Sequence, residues 1–111
     1  MKEKKIDLKN FRKEIEKLRD CRLITITALN YNGNYKLLYH FDKNGIKTFE
    51  VLVQKKKPVI ESIIDIFPSV EFYEREIHDL FGIEFSGNPR LHKKMFLPDD
   101  WKEKPPFQKS D

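Results

Sequence analysis

The sequence predicts an α+β fold: an antiparallel sheet of three to four strands packed with helices, in the order α-β-β-β-α-(short α), followed by an extended C-terminal arm. Three observations predict it. Apolar residues recur at helical spacing near the start and again after Pro58, they alternate with period two in the stretch between, and they lose every period beyond Gly82.

Leu8, Phe11, Ile15 and Leu18 fall on one helical face, Asp7 is placed to cap the first turn, and Ile6 can staple back onto Phe11. A first helix is therefore expected over residues 8–19. From Cys21 the period changes to two. Leu23, Thr25, Thr27 and Leu29 share one face and Ile24, Ile26 and Ala28 the other, a β-branched run whose apolar face is that of the two isoleucines. Asn32, Gly33 and Asn34 supply residues that tolerate positive φ, so a tight turn and a second strand from Tyr35 to Phe41 follow. Asn44 and Gly45 repeat the signal before a third strand, Ile46 to Val53, with Phe49, Val51 and Val53 inward. Short turns between three strands imply an antiparallel meander.

Pro58 suits the first turn of a helix, and Ile60, Ile63, Ile64 and Phe67 continue at helical spacing until Pro68. A short extended piece around Val70 to Phe72 is expected next. Tyr73, Ile77, Leu80 and Phe81 then define a short acidic helix that Gly82 stops. Beyond it Ile83, Phe85, Met95, Phe96, Leu97, Trp101 and Phe107 are interspersed with Pro89, Pro98, Pro105 and Pro106. A linker would be polar, whereas aperiodic chain carrying Trp and Phe needs a surface on which to bury them. The expected division is a domain over residues 1–85 and a partner-binding arm over residues 86–111.

A chain of 111 residues accommodates one compact domain, and nine Phe, four Tyr and one Trp provide more bulky apolar surface than a disordered chain carries. The formal charge of +4 raises nucleic acid, acidic lipid headgroups or an acidic protein as partners, against the ordinary reading of a solvated lysine-rich surface. Cys21 is the single cysteine, which excludes an intrachain disulfide and a Cys-based metal cluster and suits a reducing setting. No apolar run approaches the ~20 residues of a membrane-spanning helix. Membrane association is therefore expected to come through a partner.

Candidate chemistry is sparse. His40, His78 and His92 are scattered, and Glu74 and His78, one helical turn apart, have a spacing common on solvated helices as well as in metal sites. Glu71, Glu74, Glu76, Asp79 and Glu84 form a dense acidic stretch suited to ion pairing with Arg75 or with a partner more than to a pair of catalytic carboxylates. There is no Gly-rich phosphate loop and no nucleophile elbow.

The segment Glu74-Arg75-Glu76-Ile77-His78-Asp79-Leu80-Phe81-Gly82-Ile83 resembles the signature of the thirty-kilodalton subunit family of complex I, Glu-Arg-Glu, two variable positions, then Asp-Leu-Phe-Gly. The match continues through Phe85, Gly87 and Pro89, a basic His92-Lys93-Lys94, and Leu97-Pro98-Asp99-Asp100-Trp101, an ending similar to members in energy-converting (Ech-type) membrane-bound [NiFe] hydrogenases. Asn88 stands where respiratory members usually carry His, and the spacing to the final Leu-Pro-Asp-Asp-Trp is slightly altered, which favours the hydrogenase branch over the alternative, an NADH:quinone oxidoreductase-like complex.

The resemblance implies a peripheral subunit on the cytoplasmic side of the cell membrane, with no active site and no cofactor of its own. Its implied partners are a large [NiFe]-hydrogenase-like catalytic subunit, an iron–sulfur small subunit and ion-translocating membrane subunits, which would carry the [NiFe] centre and the clusters. Glu74, Arg75, Glu76 and Asp79 would form charge-assisted hydrogen bonds to the large subunit, and Phe81, Phe85 and Trp101 would fill its pockets. The same residues alternatively lock the short helix onto its own sheet. A rival from another class is a double-stranded RNA-binding module, which shares the α-β-β-β-α order and places lysines, here Lys55, Lys56 and Lys57, at the start of its second helix.

Overall fold

A computed structural model describes residues 2–89 and Leu91. Four strands form the main sheet, β1 (Lys2–Ile6), β2 (Arg22–Tyr31), β3 (Asn34–Asp42) and β4 (Ile46–Gln54), in the spatial order β1-β4-β3-β2. The expected meander is β2-β3-β4, antiparallel throughout. Asn32 and Gly33 take φ of 48° and 81° at the first turn, the doubly left-handed geometry that matches strand twist. Asn44 and Gly45 are also left-handed, and the Asp42 carboxylate accepts the Gly45 N–H at 3.2 Å. The meander gains a fourth strand that the sequence pattern does not reveal: β1 lies parallel to β4, so the sheet is mixed.

Tyr35, Leu37, Tyr39 and Phe41 of β3 and Phe49, Val51 and Val53 of β4 point to the core as the alternation requires. On β2 the inward face differs from the expectation. A bulge between Leu23 and Thr25 inserts Ile24 as an extra residue, so Leu23 and Ile26 are both buried while Ile24 is half-buried. Strict period two cannot anticipate such an insertion.

The expected first helix is shorter than residues 8–19. Leu8–Asn10 form a single 3-10 turn, α1 is Phe11–Glu16, and tight turns at Ile15–Leu18 and Leu18–Cys21 complete the segment. Asp7 makes no side-chain cap, and Leu8 is exposed because the chain enters from β1 rather than from a free end. Phe11 and Ile15 bury the inner face, with the Phe11 ring 5.1 Å from that of Tyr39. Outside, Arg12 binds Glu16 at 3.1 Å, Glu61 at 3.0 Å and both carboxylate oxygens of Asp65, tying α1 to the chain after the sheet.

That later chain is the main departure. Instead of a helix over 58–67, Val59–Glu61 form β5, and the chain then turns so that the Phe67 N–H bonds to the Ile63 carbonyl. Ile60, Ile63 and Phe67 are still buried, since one strand followed by one tight turn brings the same side chains to one side. The second helix, α2 (Val70–Phe81), begins at Val70, inside the piece expected to be extended. Glu84–Ser86 form β6, which pairs in parallel with β5. Within the segment expected as the arm, Asn88 and Leu91 are buried.

Candidate functional site

β5, α2 and β6 form a β-α-β unit, and the family-like signature occupies its helix and the start of its second strand. Parallel strands need a crossover that packs back on them, and α2 does so by burying Val70, Glu74 and Ile77. Glu74 is fully buried. Its Oε1 accepts from the Ser62 hydroxyl at 2.6 Å and from the Asn88 amide at 2.9 Å, and its Oε2 accepts from the Ile63 N–H at 3.2 Å. Ser62 and Ile63 directly follow β5, and Asn88 lies just beyond β6. One carboxylate thus pins the C-terminal ends of both parallel strands to the helix crossing between them.

Burial pushes the Glu74 carboxyl above its ordinary range, while its bonds from Ser62, Asn88 and Ile63 pull the other way. Tyr39 lies close enough to feel the same charge. Burial first, and the Glu74 charge second, hold its phenol protonated well above the ordinary value. The Tyr39 hydroxyl has no hydrogen-bond partner among the described residues.

The other signature residues divide by exposure. Asp79 and Phe85 are buried, Arg75, Leu80 and Phe81 are half-buried, and Glu76 is exposed. Arg75 lies 3.7 Å from Glu71, one turn back on α2. Phe81 meets Tyr35 edge-on at 5.6 Å. Gly82 adopts φ of 79° and donates its N–H to the His78 carbonyl at 2.8 Å, the left-handed stop that its position foretells. Gly87 is also left-handed, at φ 97°, and Pro89 is exposed. Of the acidic residues expected to dock, Glu74 and Asp79 therefore face their own fold, and Glu76 faces outward.

Glu74 and His78 do not converge. His78 Nδ1 lies 2.9 Å from the Ile83 carbonyl, an acceptor, so that nitrogen carries the proton. Among the described residues no group of three His, Cys, Asp or Glu side chains comes together to hold a metal ion. Lys55, Lys56 and Lys57 fall in the turn between β4 and β5 instead of opening a helix, which removes the geometry on which the RNA-binding rival rests. His92, Leu97, Pro98, Asp100 and Trp101 lie outside the described residues, as does most of the expected arm.

Two features are not among those the sequence singles out. Ser62 and Tyr39 converge with Glu74 only through tertiary packing and carry no local signal. Phe72, by contrast, stands in plain view: it is 62% exposed, one helical turn from Glu76, and the two make an outward ridge on α2. An aromatic that falls off the apolar stripe of an amphipathic helix is a signal for this.

A family model described as respiratory-chain NADH dehydrogenase, 30 Kd subunit, matches residues 3–111. The chain is 31% identical over 96 residues to an NADH-quinone oxidoreductase subunit from Chloroherpeton thalassium, covering 82% of this chain and 40% of that one. It is 28% identical over 109 residues to the equivalent NADH-quinone oxidoreductase subunit from Roseiflexus castenholzii, covering 93% of this chain and 62% of the relative. Each alignment thus spans less than two thirds of these curated relatives. Among solved structures, a chain of the membrane-bound sulfane sulfur reductase, an archaeal respiratory membrane complex, superposes with a TM-score of 0.79 at 24% identity, over 88% of this chain and 64% of that one. That likeness is one of fold.

Proposed function

The chain belongs to the respiratory-chain NADH dehydrogenase 30 Kd subunit family, and from that premise we propose that it is a peripheral, non-catalytic subunit of a membrane-bound redox complex that docks on and braces the large catalytic subunit. The observation that carries the reading is the two-sided build of α2. Its inner side is fixed by Glu74 to both strands of the β-α-β unit, and its outer side presents Phe72 and Glu76 from that rigid mount. An aromatic flanked by a carboxylate suits an apolar pocket with a basic rim.

In this reading the partners are a large [NiFe]-hydrogenase-like subunit and an iron–sulfur small subunit, which hold the [NiFe] centre and the clusters, and the chain serves electron transfer coupled to ion translocation only by keeping them in register. No described helix is long and apolar enough to cross a membrane, so attachment at the cytoplasmic face would run through those subunits.

The test is purification of the tagged chain from native membranes in mild detergent, with mass spectrometry and nickel and iron analysis of what is retained. Nickel and iron with a hydrogenase-like large subunit support the hydrogenase branch. Iron without nickel moves the assignment to a quinone reductase, and neither metal, with RNA or nothing retained, overturns it.

A further inference from the structure

The two edges of the main sheet are built differently. At one edge β1 spans 5 residues, and all but Ile6 are charged, a pattern that discourages further pairing. At the other, β2 runs 10 residues, and from Leu23 to Tyr31 it holds no charge, no proline and no glycine. Among the described residues no strand lies beyond it. The closing pair of a two-residue hairpin exchanges hydrogen bonds, so Tyr31, Leu29 and Thr27 bond inward to β3, while Asn30, Ala28 and Ile26 turn N–H and C=O groups outward.

The sheet face beside this edge is apolar at its Leu29–Tyr31 end, whereas Thr27, His40 and Thr48 form a hydrogen-bonded polar row along the rest. Leu29, Tyr31 and Leu52 are 36%, 40% and 39% exposed, and Leu29 and Leu52 flank Lys36 in register. The charges there are already satisfied: Lys36 lies 3.8 Å from the Tyr31 ring centroid and 3.4 Å from Glu50, whose side chain is almost fully buried. Toward β1 the surface passes into a cleft of about 320 Å³ whose lining joins Leu8, Tyr31 and Leu52 to the charged Lys5, Asp7 and Glu50.

We propose that in the assembled complex an extended, uncharged segment of a partner subunit adds to β2 as a fifth strand and lays its apolar side chains on Leu29 and Tyr31. This rests on the reading of the chain as a docking subunit and names a second contact, away from α2. A neutral edge with its nearby charges already paired offers nothing to a charged strand. The bulge limits the straight edge to Thr25–Tyr31, about 24 Å of strand at ~3.4 Å per residue. Pairing over that length falls well short of the roughly 800 Å² per partner that a stable freestanding dimer buries. The edge therefore suits one contact within a larger assembly better than a second copy of this chain.

Hydrogen exchange on the full chain, isolated and within the purified complex, tests the inference. The outward amides of Ile26, Ala28 and Asn30 should exchange about tenfold or more slowly in the complex, because a paired amide must open before it exchanges. The variant Asn30→Pro, which removes an outward N–H and no bond to β3, should fold by circular dichroism and lose that protection at Ile26 and Ala28. Equal rates in a complex that retains its partners overturn the added strand and leave the α2 docking reading intact. Protection that appears in the isolated chain as its concentration rises overturns it in favour of a second copy, and failure to retain any partner overturns both readings.

Discussion

Replacing Glu74 by Ala removes the acceptor for three donors at once: the Ser62 hydroxyl, the Asn88 amide and the Ile63 N–H. Ser62 and Asn88 are 3% and 8% exposed, so water reaches them only by entering the space the side chain leaves. Each stranded buried donor costs about 1–3 kcal/mol. Ser62 keeps one partner, since its Oγ still accepts the Ile64 N–H at 3.1 Å, and the fold no longer bears the desolvation of the carboxylate. The net expectation at neutral pH is a loss of about 2–4 kcal/mol, the cost of two or three stranded neutral donors less the desolvation recovered. Urea unfolding followed by circular dichroism reads it as a lower midpoint at unchanged slope. Glu74→Gln keeps one acceptor oxygen but turns an amide NH₂ toward the Ile63 N–H or the other donors, and should cost about half as much.

Acidity supplies an independent check on the same residue. Its carboxyl is raised in the fold, so the folded state holds the proton more tightly than the unfolded chain does. That contribution to stability is fully present below the ordinary value of 4.5 and is lost as pH rises through the folded value. Relative to Glu74→Gln, the parent should therefore gain stability on acidification. A Glu74→Ala midpoint equivalent to less than about 0.5 kcal/mol, or no coupling with Asn88→Ala in a double-mutant cycle, would refute the network as the anchor of α2.

Other expectations follow from other elements. Gly82→Ala forces a side chain into the left-handed stop of α2 and should cost about 1 kcal/mol in urea unfolding. Phe72→Ala should leave stability within about 0.5 kcal/mol, because the ring is 62% exposed, yet lower recovery of the large subunit in a native-membrane pull-down. Asp65 is held below its ordinary value of 3.8 by its bond from Arg12, so its contribution is present above that value and lost as pH falls through the folded one. Arg12→Met should accordingly flatten the acid limb of a stability profile measured from pH 5 downward.

The meander is legible in the sequence because two independent signals agree: alternation on β3 and β4, and Asn-Gly pairs where the twist needs left-handed residues. The signature helix is legible from its sequence pattern. The elements that differ do so for physical reasons. β1 is nearly all charged and is a strand only because β4 accepts it, so it has no apolar alternation to read. Ile60, Ile63, Ile64 and Phe67 satisfy helical spacing as well as they satisfy a strand followed by a turn, and the pairing that decides for β5 comes from β6, beyond α2. A docking role for Glu74 follows from charge, and charge alone does not say which way a carboxylate points. Its side-chain donors, Ser62 and Asn88, are short polar residues on opposite sides of the helix in sequence.

The parallel seating of β1 against β4 also bears on how the molecule assembles. The hairpins β2-β3 and β3-β4 close over short turns, while Lys2 must find Lys47 and Ile6 must find Val51 across the whole meander. Closing a loop of that size before any contact rewards it is slow in entropy terms. β1 should therefore join last, onto a preformed three-stranded template. Substitutions at Ile6 should accelerate unfolding and leave the folding rate nearly unchanged, whereas those at Leu37 or Val51 should slow folding.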